Sequence, residues 1–442
     1  MNYKKFITYI SIFLIAFGFF SCDDYLDIQP KDRVIPTTLK DYQQLLISAY
    51  SAFPVTKSKT ELRTDLVNFN DSDASAESYR HFYLWEDTNY DATATEFDYD
   101  LLYRVIFYTN EVISNANEKL EESVAKKQLL AEAHALRAYT YFELVNLFSD
   151  VYQEGKTQRG VPLVLRMDLE AQFSPASLQE VYAQIHKDLD LAEKLVQIKI
   201  FTENQSYHFS QVAINALKSR VYLFQAKWAE ALKYAQKVLD EKSDLLDLNH
   251  NNEGLLPHQL NSVEQILTLD YAVHNRVSEV AAANDFLIKK YDDEDLRKNL
   301  FYKEENNKFQ AIKGTKENLR SSFRTGEIYL VKAELQVRTG DLDGAKQTLN
   351  SFVNTRKTAE GAKNYAKKIN AIQSQEALLK EIFEERIREL AFEGYRWFDL
   401  RRYEQKEITH ETRGQKATLG ANDPRYTIEF PVSAKRENPF LR

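Results

Sequence analysis

From Lys126 to Phe148 the chain sets apolar or small side chains at Leu129, Leu130, Ala133, Leu136, Ala138, Tyr141, Phe142, Val145 and Phe148, mostly three or four residues apart. That spacing predicts a helix with one buried face, because an α-helix returns to the same side every 3.6 residues. A further helical unit opens in "FSPASLQEVYAQIHKDLDLAEKL", where Ser177 stands three residues before Glu180, the spacing of a capping box. Two later stretches, "ALKSRVYLFQAKWAEALKYAQKVL" and "YLVKAELQVRTGDLDGAKQTLNSFV", align at an offset of 114 residues. The alignment matches Leu217 with Val331, Leu223 with Val337, Trp228 with Leu342, Ala231 with Ala345 and Val238 with Phe352. Each reads as a helix, a tight turn and a second helix whose small alanine allows close approach, the pattern of a tetratricopeptide-like hairpin. Near the C-terminus, "LLKEIFEERIRELAFEGYRWFDLRRY" predicts one amphipathic helix, loosened at Gly394. Leu379, Ile382, Phe383, Ile387, Leu390, Ala391 and Phe398 form its apolar stripe, and Glu384 and Arg388 are placed to pair on the outer, charged face.

Two stretches break this rhythm. Residues 241–323 mix Pro, Asn, Gly and charge with short apolar bursts such as "EQILTLDYAV", which predicts a strand or two, and residues 56–99 form a second excursion. No long segment alternates as an extended sheet strand would. The expected fold is mainly α, a tetratricopeptide-like helical hairpin scaffold with long irregular loop excursions and a few short strands. Because the repeats are not contiguous, a simple solenoid is excluded, and residues 22–442 read as a single domain. Long loops in a compact protein are usually functional or disordered.

Ahead of the helices, Lys4 and Lys5 precede an apolar run from Phe6 to Phe20, followed by Ser21 and Cys22. This is the charged and apolar layout of an export signal, shorter than the roughly 20 residues of a membrane span. Cleavage after Ser21 makes residues 1–21 the signal peptide and leaves Cys22, the chain's one cysteine, as the first mature residue and a lipid attachment site. The alternative is a secretory peptide cut elsewhere. Several acyl chains on one cysteine, each CH₂ contributing about 0.8 kcal/mol, tether a body stably without embedding it. The mean hydropathy of -0.51 fits a body that stays in water. A formal net charge of -8 argues against nucleic acid as a partner, since that interaction favours clustered Lys and Arg.

Catalytic constellations are scarce. The eight histidines include no pair four residues apart, so a helical zinc motif is missing, and neither a Gly-x-Ser-x-Gly elbow nor a phosphate-cradling loop occurs. "DSDASAESYRHF" starts like a calcium loop at Asp71, Asp73 and Ser75 but has Ala76 and Phe82 where that loop needs Gly and Glu. An enzyme would have to work through Asp71 and Asp73, as a transferase, or through the 292–295 carboxylates, as a glycosidase pair. A solvated acidic loop is the plainer reading of "YDDEDLRKN". No metal and no cofactor are expected.

Taken in order, "SCDDYLDIQP", the two repeat segments, "EERIRELAFEGYRWFDLRRY" and the closing "YTIEFPVSAKRENPFLR" resemble the SusD/RagB family of outer-membrane nutrient-binding lipoproteins. The resemblance implies a lipidated, surface-exposed protein on the outer membrane. It would lie as a lid on a SusC-like TonB-dependent transporter, deliver oligosaccharide or polysaccharide, with peptide as the alternative ligand, and carry no chemistry of its own. It also implies that Cys22 carries the lipid and that Asp23 and Asp24 belong to the export signal. In the family the closing segment is an extended run meeting a final Asn-Pro.

Sugar recognition needs aromatic rings that stack on apolar pyranose faces beside polar groups that bond hydroxyls. The first excursion offers Asp71, Tyr79, Arg80, Tyr83, Trp85, Asn89 and Tyr90, and the second offers Tyr271. These eight are the candidate ligand-binding residues. For Trp85, as for Phe82, the alternative is burial in the core, whereas Tyr83, Tyr90 and Tyr271 suit half-burial because a phenol has one wet end. A pure protein-binding scaffold is the third functional reading, since hairpin repeats commonly bind partners.

Overall fold

A computed structural model describes residues 36–88, 90, 94–166, 172–251, 254–305, 308–313 and 319–442. Cys22 and Asn89 lie outside the described residues. The central helix runs over Val124–Phe148, with the Ser123 hydroxyl accepting from the Lys126 amide at 3.1 Å as its N-cap. It is buried on nearly every side, not on the one face that its periodicity predicts, because the helices Leu39–Ser51, Tyr99–Glu111 and Leu178–Leu195 all pack against it. Several of its buried polar side chains have partners, as burial favours. Arg137 donates to Asp188 at 2.9 and 2.6 Å and to the Asn110 side-chain Oδ1 at 2.8 Å, and the Tyr50 hydroxyl donates to Glu132 at 3.0 Å. The capping box forms: the Ser177 amide donates to Glu180 at 2.8 Å, and the Glu180 amide to the Ser177 hydroxyl at 3.2 Å.

Both repeats are helical hairpins, Gln211–Phe224 with Trp228–Glu241 and Thr325–Arg338 with Leu342–Val353. Ala231 and Ala345 are fully buried at the crossing, as are Val238 and Phe352. The turns are equivalent too. Lys227 N–H donates to the Tyr222 carbonyl at 3.0 Å and Asp341 N–H to that of Gln336 at 2.8 Å, the bond that closes a helix around a left-handed residue. That residue is Ala226 (φ 57°) in the first hairpin and Gly340 (φ 92°) in the second, so only the second uses the residue that adopts it without strain. Trp228–Glu241 packs on Thr325–Arg338, which makes the hairpins neighbours in space although a long excursion separates them in sequence.

The C-terminal helix spans Gln375–Leu390 and stops there. Phe392 (φ 60°) and Gly394 (φ 76°) turn the chain, and Arg396–Asp399 with the π-turn Leu400–Glu404 follow as a separate piece. A Cβ on Gly394 would come within 2.7 Å of the Lys57 Cβ. The expected outward pair is not made: Glu384 bonds Lys290 at 2.5 Å, while Arg388 bonds Glu381 at 2.8 Å and Glu385 at 2.6 Å. The charged face is itself buried, because the second excursion covers it. Glu389 takes Arg324 at 2.7 Å, Arg356 at 3.0 Å and Arg297 at 3.0 Å, all four side chains being inaccessible to solvent. Arg324 also bonds Glu264 and Glu393, Lys313 bonds Glu393, and Arg297 bonds Asp295 and Glu385. Burial alone would raise the Glu389 pKa, yet Arg356, Arg324 and Arg297 outweigh it and hold the carboxyl well below the usual range.

The excursions carry more structure than their composition suggests, and they pair with each other. Val67–Phe69 from the first lies antiparallel to Ala281–Ala283 from the second, in a sheet completed by Lys308–Ala311 and Tyr302–Glu305. "EQILTLDYAV" supplies two strands, Gln265–Leu267 and Tyr271–Val273. The acidic "YDDEDLRKN" is only partly solvated, since Asp295 is buried against Arg297. A final hairpin, Ile408–Thr412 with Gln415–Leu419, covers the first excursion, and the closing segment forms the short helix Val432–Glu437 where an extended run is expected. Among the described residues no helix is long and apolar enough to cross a membrane.

Candidate ligand-binding surface

The short helix Ala76–Tyr83 divides the sequence-predicted residues between its two sides. Its end is unusual: Trp85 adopts φ 55°, the left-handed position that glycine normally fills, and Glu86 N–H closes the turn onto the His81 carbonyl at 2.9 Å. This reversal sends the indole inward. Trp85 is 1% exposed and donates its Nε1–H to the Arg63 carbonyl at 3.1 Å. Tyr83, 3% exposed, and Trp85 sandwich the His410 ring at 3.9 and 4.2 Å, a contact made by the C-terminal hairpin. Burial lowers the His410 pKa to about 4, against the Tyr83 and Thr64 carbonyls that its two ring nitrogens face at 2.6 and 2.9 Å. Tyr83 and Trp85 therefore offer no face to a ligand, which corrects the expectation for both. The cause is a hairpin more than three hundred residues downstream, which spacing within the excursion does not report.

Arg80 and Asp71 meet on another side. Arg80 Nε donates to Asp71 at 3.2 Å and its Nη1 to Glu77 at 2.6 Å. Arg413, at the left-handed first position of the two-residue turn Arg413–Gly414, stands 3.4 Å from both carboxylates, and Thr412 donates to Asp71. Asp71 is thus an ordering group inside an ion cluster. Asp73 accepts the Ser75 amide at 2.7 Å, and Asp292 is clasped by Lys357 at 2.7 Å. Each carboxylate of these three that an enzyme would need is engaged in holding the local fold.

Tyr79, 9% exposed, is nearly buried, on a helix that packs near Asn275–Val280, which follows the strand Tyr271–Val273. Tyr271 is half-buried and pairs across the ladder with Arg320, whose guanidinium lies 4.2 Å from the phenol ring centroid and donates to its hydroxyl. His274 meets the same ring edge-on at 6.4 Å. Three contacts fix this corner. Lys57 Nζ donates to Asp270 at 3.0 Å beneath the strand, the His274 amide donates to the Ser58 hydroxyl at 2.8 Å, and Arg276 reaches the Ser75 hydroxyl at 3.4 Å. The result is a half-open platform of a planar cation stacked on a phenol, with an imidazole and Arg276 alongside, held by a rigid base. Stacked arginine keeps its donor edge free, so such a surface can both stack on a flat ligand and bond hydroxyls.

Tyr90 turns elsewhere. Its hydroxyl donates to Glu96 at 2.6 Å and accepts the Val432 amide at 3.3 Å. Of the eight predicted residues, the structure leaves Tyr271 half-buried on the platform, nearly buries Tyr79, ties Arg80 to Asp71 in the ion cluster, and packs Tyr83, Trp85 and Tyr90 elsewhere. Sequence reasoning missed Arg320, His274 and Arg276. The last two stand next to Tyr271 in the chain, but Arg320 is revealed only by strand register.

A family model described as starch-binding and associating with the outer membrane matches residues 24–223, and the SusD family model matches residues 250–440. SusD-like protein P25 of Formosa agariphila is 24% identical over 291 residues, covering 62% of this chain and 52% of that protein. The chain spans about half the length of the curated relatives it matches. Among solved structures, a SusD superfamily protein from Bacteroides fragilis superposes with a TM-score of 0.76 at 20% identity, covering 92% of this chain and 99% of that one. A structure named as a laminarin binding SusD-like protein gives 0.62 at 19% identity, over 83% and 91% of the two chains. At such identities the structural likeness is one of fold. With consecutive matches running from residue 24 to residue 440 but for one interval, the chain belongs to the SusD family.

Proposed function

We propose that this protein binds a nutrient glycan at the cell surface and passes it to a TonB-dependent outer-membrane transporter, without chemistry of its own. Residues 1–21 act as the export signal, Cys22 carries the lipid that holds the protein on the outer membrane, and residues 22–442 form one binding unit. The observation that carries the reading is the Tyr271–Arg320 platform, half-open and rigidly based, with His274 and Arg276 beside it. Family membership supports the outer-membrane setting, and the laminarin-binding neighbour favours a glycan over a peptide.

The test is calorimetric titration of residues 23–442 with maltohexaose, laminarihexaose and a mixed hexapeptide, with product analysis on the same samples. Binding of a glycan without turnover, lost in Tyr271→Ala, supports the reading. Binding of the hexapeptide alone moves the ligand class, and turnover overturns the non-catalytic assignment. Membrane fractionation of Cys22→Ala tests the anchor: the variant is expected in the soluble fraction.

A further inference from the structure

A second concavity lies away from the platform, between the start of the helix Tyr99–Glu111, the strand Arg159–Pro162 and the C-terminal helix Val432–Glu437. Its volume is about 740 Å³, within the 300–1,000 Å³ typical of small-molecule sites. Tyr99, Tyr103 and Phe173 line it as half-buried rings, the two tyrosines 4.7 Å apart and tilted by 43°. Tyr103 is locked by donating to the Pro162 carbonyl at 2.7 Å, and the Asn438 amide is spanned to the Phe173 carbonyl at 2.8 Å. Glu96, Asp100 and Glu437 bring carboxylates to the same space, and among the described residues no Lys or Arg lines it. Arg104 and Arg436 pair with Asp100 and Glu437 from outside the lining. A hollow of similar size on the helix Gln375–Leu390 differs on this point, since Lys380, Arg396 and Lys406 line it.

Rings stack on apolar sugar faces, carboxylates accept hydrogen bonds from hydroxyls, and a lining that carries carboxylates but no cation of its own disfavours an anionic ligand. We propose that this cleft is a second glycan-binding site, separate from the Tyr271 platform and selective for uncharged oligosaccharides over uronic or sulfated ones. Glu96 joins the two places. Its carbonyl accepts from Lys59 at 2.6 Å on the platform side, while its carboxylate takes Tyr90 and the Ser433 hydroxyl on the cleft side.

Hydroxyl-radical footprinting of residues 23–442 tests this with maltohexaose and laminarihexaose as neutral probes and a mannuronate hexasaccharide as the charged one. At least one neutral probe is expected to protect Tyr103 and Phe173. Phe173→Ala, a half-buried ring whose loss spares the core, should weaken that protection about tenfold in ligand concentration. Asp100→Asn should admit the charged probe that the native cleft refuses. No protection at Tyr103 by either neutral probe, or equal protection by mannuronate on the native protein, overturns the proposal. Protection at Tyr271 alone sinks this inference and leaves the proposed function standing; protection at Tyr103 alone supports this inference and moves the proposed glycan binding off the Tyr271 platform.

Discussion

The ionic cluster under the C-terminal helix and the Tyr271 platform use the same residue types, arginine beside carboxylate and aromatic ring, for opposite ends. Around Glu389 the side chains of Arg297, Arg324 and Arg356 have no solvent contact and each finds more than one carboxylate. At Tyr271 a single arginine lies over a half-buried ring, with exposed Arg276 nearby. Saturation is the difference. A buried charge with every donor placed has nothing left for a ligand and becomes part of the fold, whereas a stacked, half-solvated guanidinium keeps donors free.

Breaking the cluster should have the largest effect. Glu389→Gln leaves three buried guanidinium groups short of a counter-charge, and thermal or urea unfolding should show a loss of about 3–5 kcal/mol. Trp85→Ala comes next, expected at about 3–5 kcal/mol from the cavity it opens beside His410. A variant that kept its stability but lost ligand binding would return Trp85 to the site. Acid should dissolve the cluster too. Burial opposes ionisation of Glu393, but Arg324 and Lys313 pull its pKa from 4.5 down to about 2. Because the folded value is depressed, its stabilisation is present above about pH 4.5 and is lost as the pH falls toward 2, a contribution of about 3 kcal/mol. Denaturant midpoints measured from pH 6 to pH 2 should fall through that window, and a flat profile would show that the cluster tolerates protonation.

On the platform the balance reverses. Arg320→Ala should weaken glycan binding by about tenfold, roughly 1.4 kcal/mol, with little change in melting temperature. A large drop in melting temperature there would place Arg320 with the buried cluster instead. The smallest effect lies in the scaffold: Ala226→Gly, copying Gly340 in the equivalent turn, should stabilise the protein by about 0.5–1 kcal/mol, read as a rise in the unfolding midpoint.

Helical hairpins were legible because their information is local. Leu223, Ala231 and Val238 recur where Val337, Ala345 and Phe352 do, and the capping box at Ser177 needs only a residue three positions away. The strands in "EQILTLDYAV" were legible for the same reason. Solvent exposure was not, because it depends on what arrives from elsewhere in the chain. Charged residues on the helix Gln375–Leu390 follow the pattern of a wet face, yet the excursion carrying Arg297 and Lys313, and Arg324 just after it, cover them. Tyr83 and Trp85 sit among polar residues as surface aromatics do, yet His410 closes over them.

By itself, then, the sequence determined the mainly helical class, the paired hairpins and the turns between them, since periodicity, capping and turn chemistry act over fewer than ten residues. Tertiary structure alone decided which charges are core and which aromatics face water, and it brought Arg320 onto Tyr271. Those outcomes depend on contacts between segments tens to hundreds of residues apart, where a side chain's neighbours are set by chain topology and not by its place in the sequence.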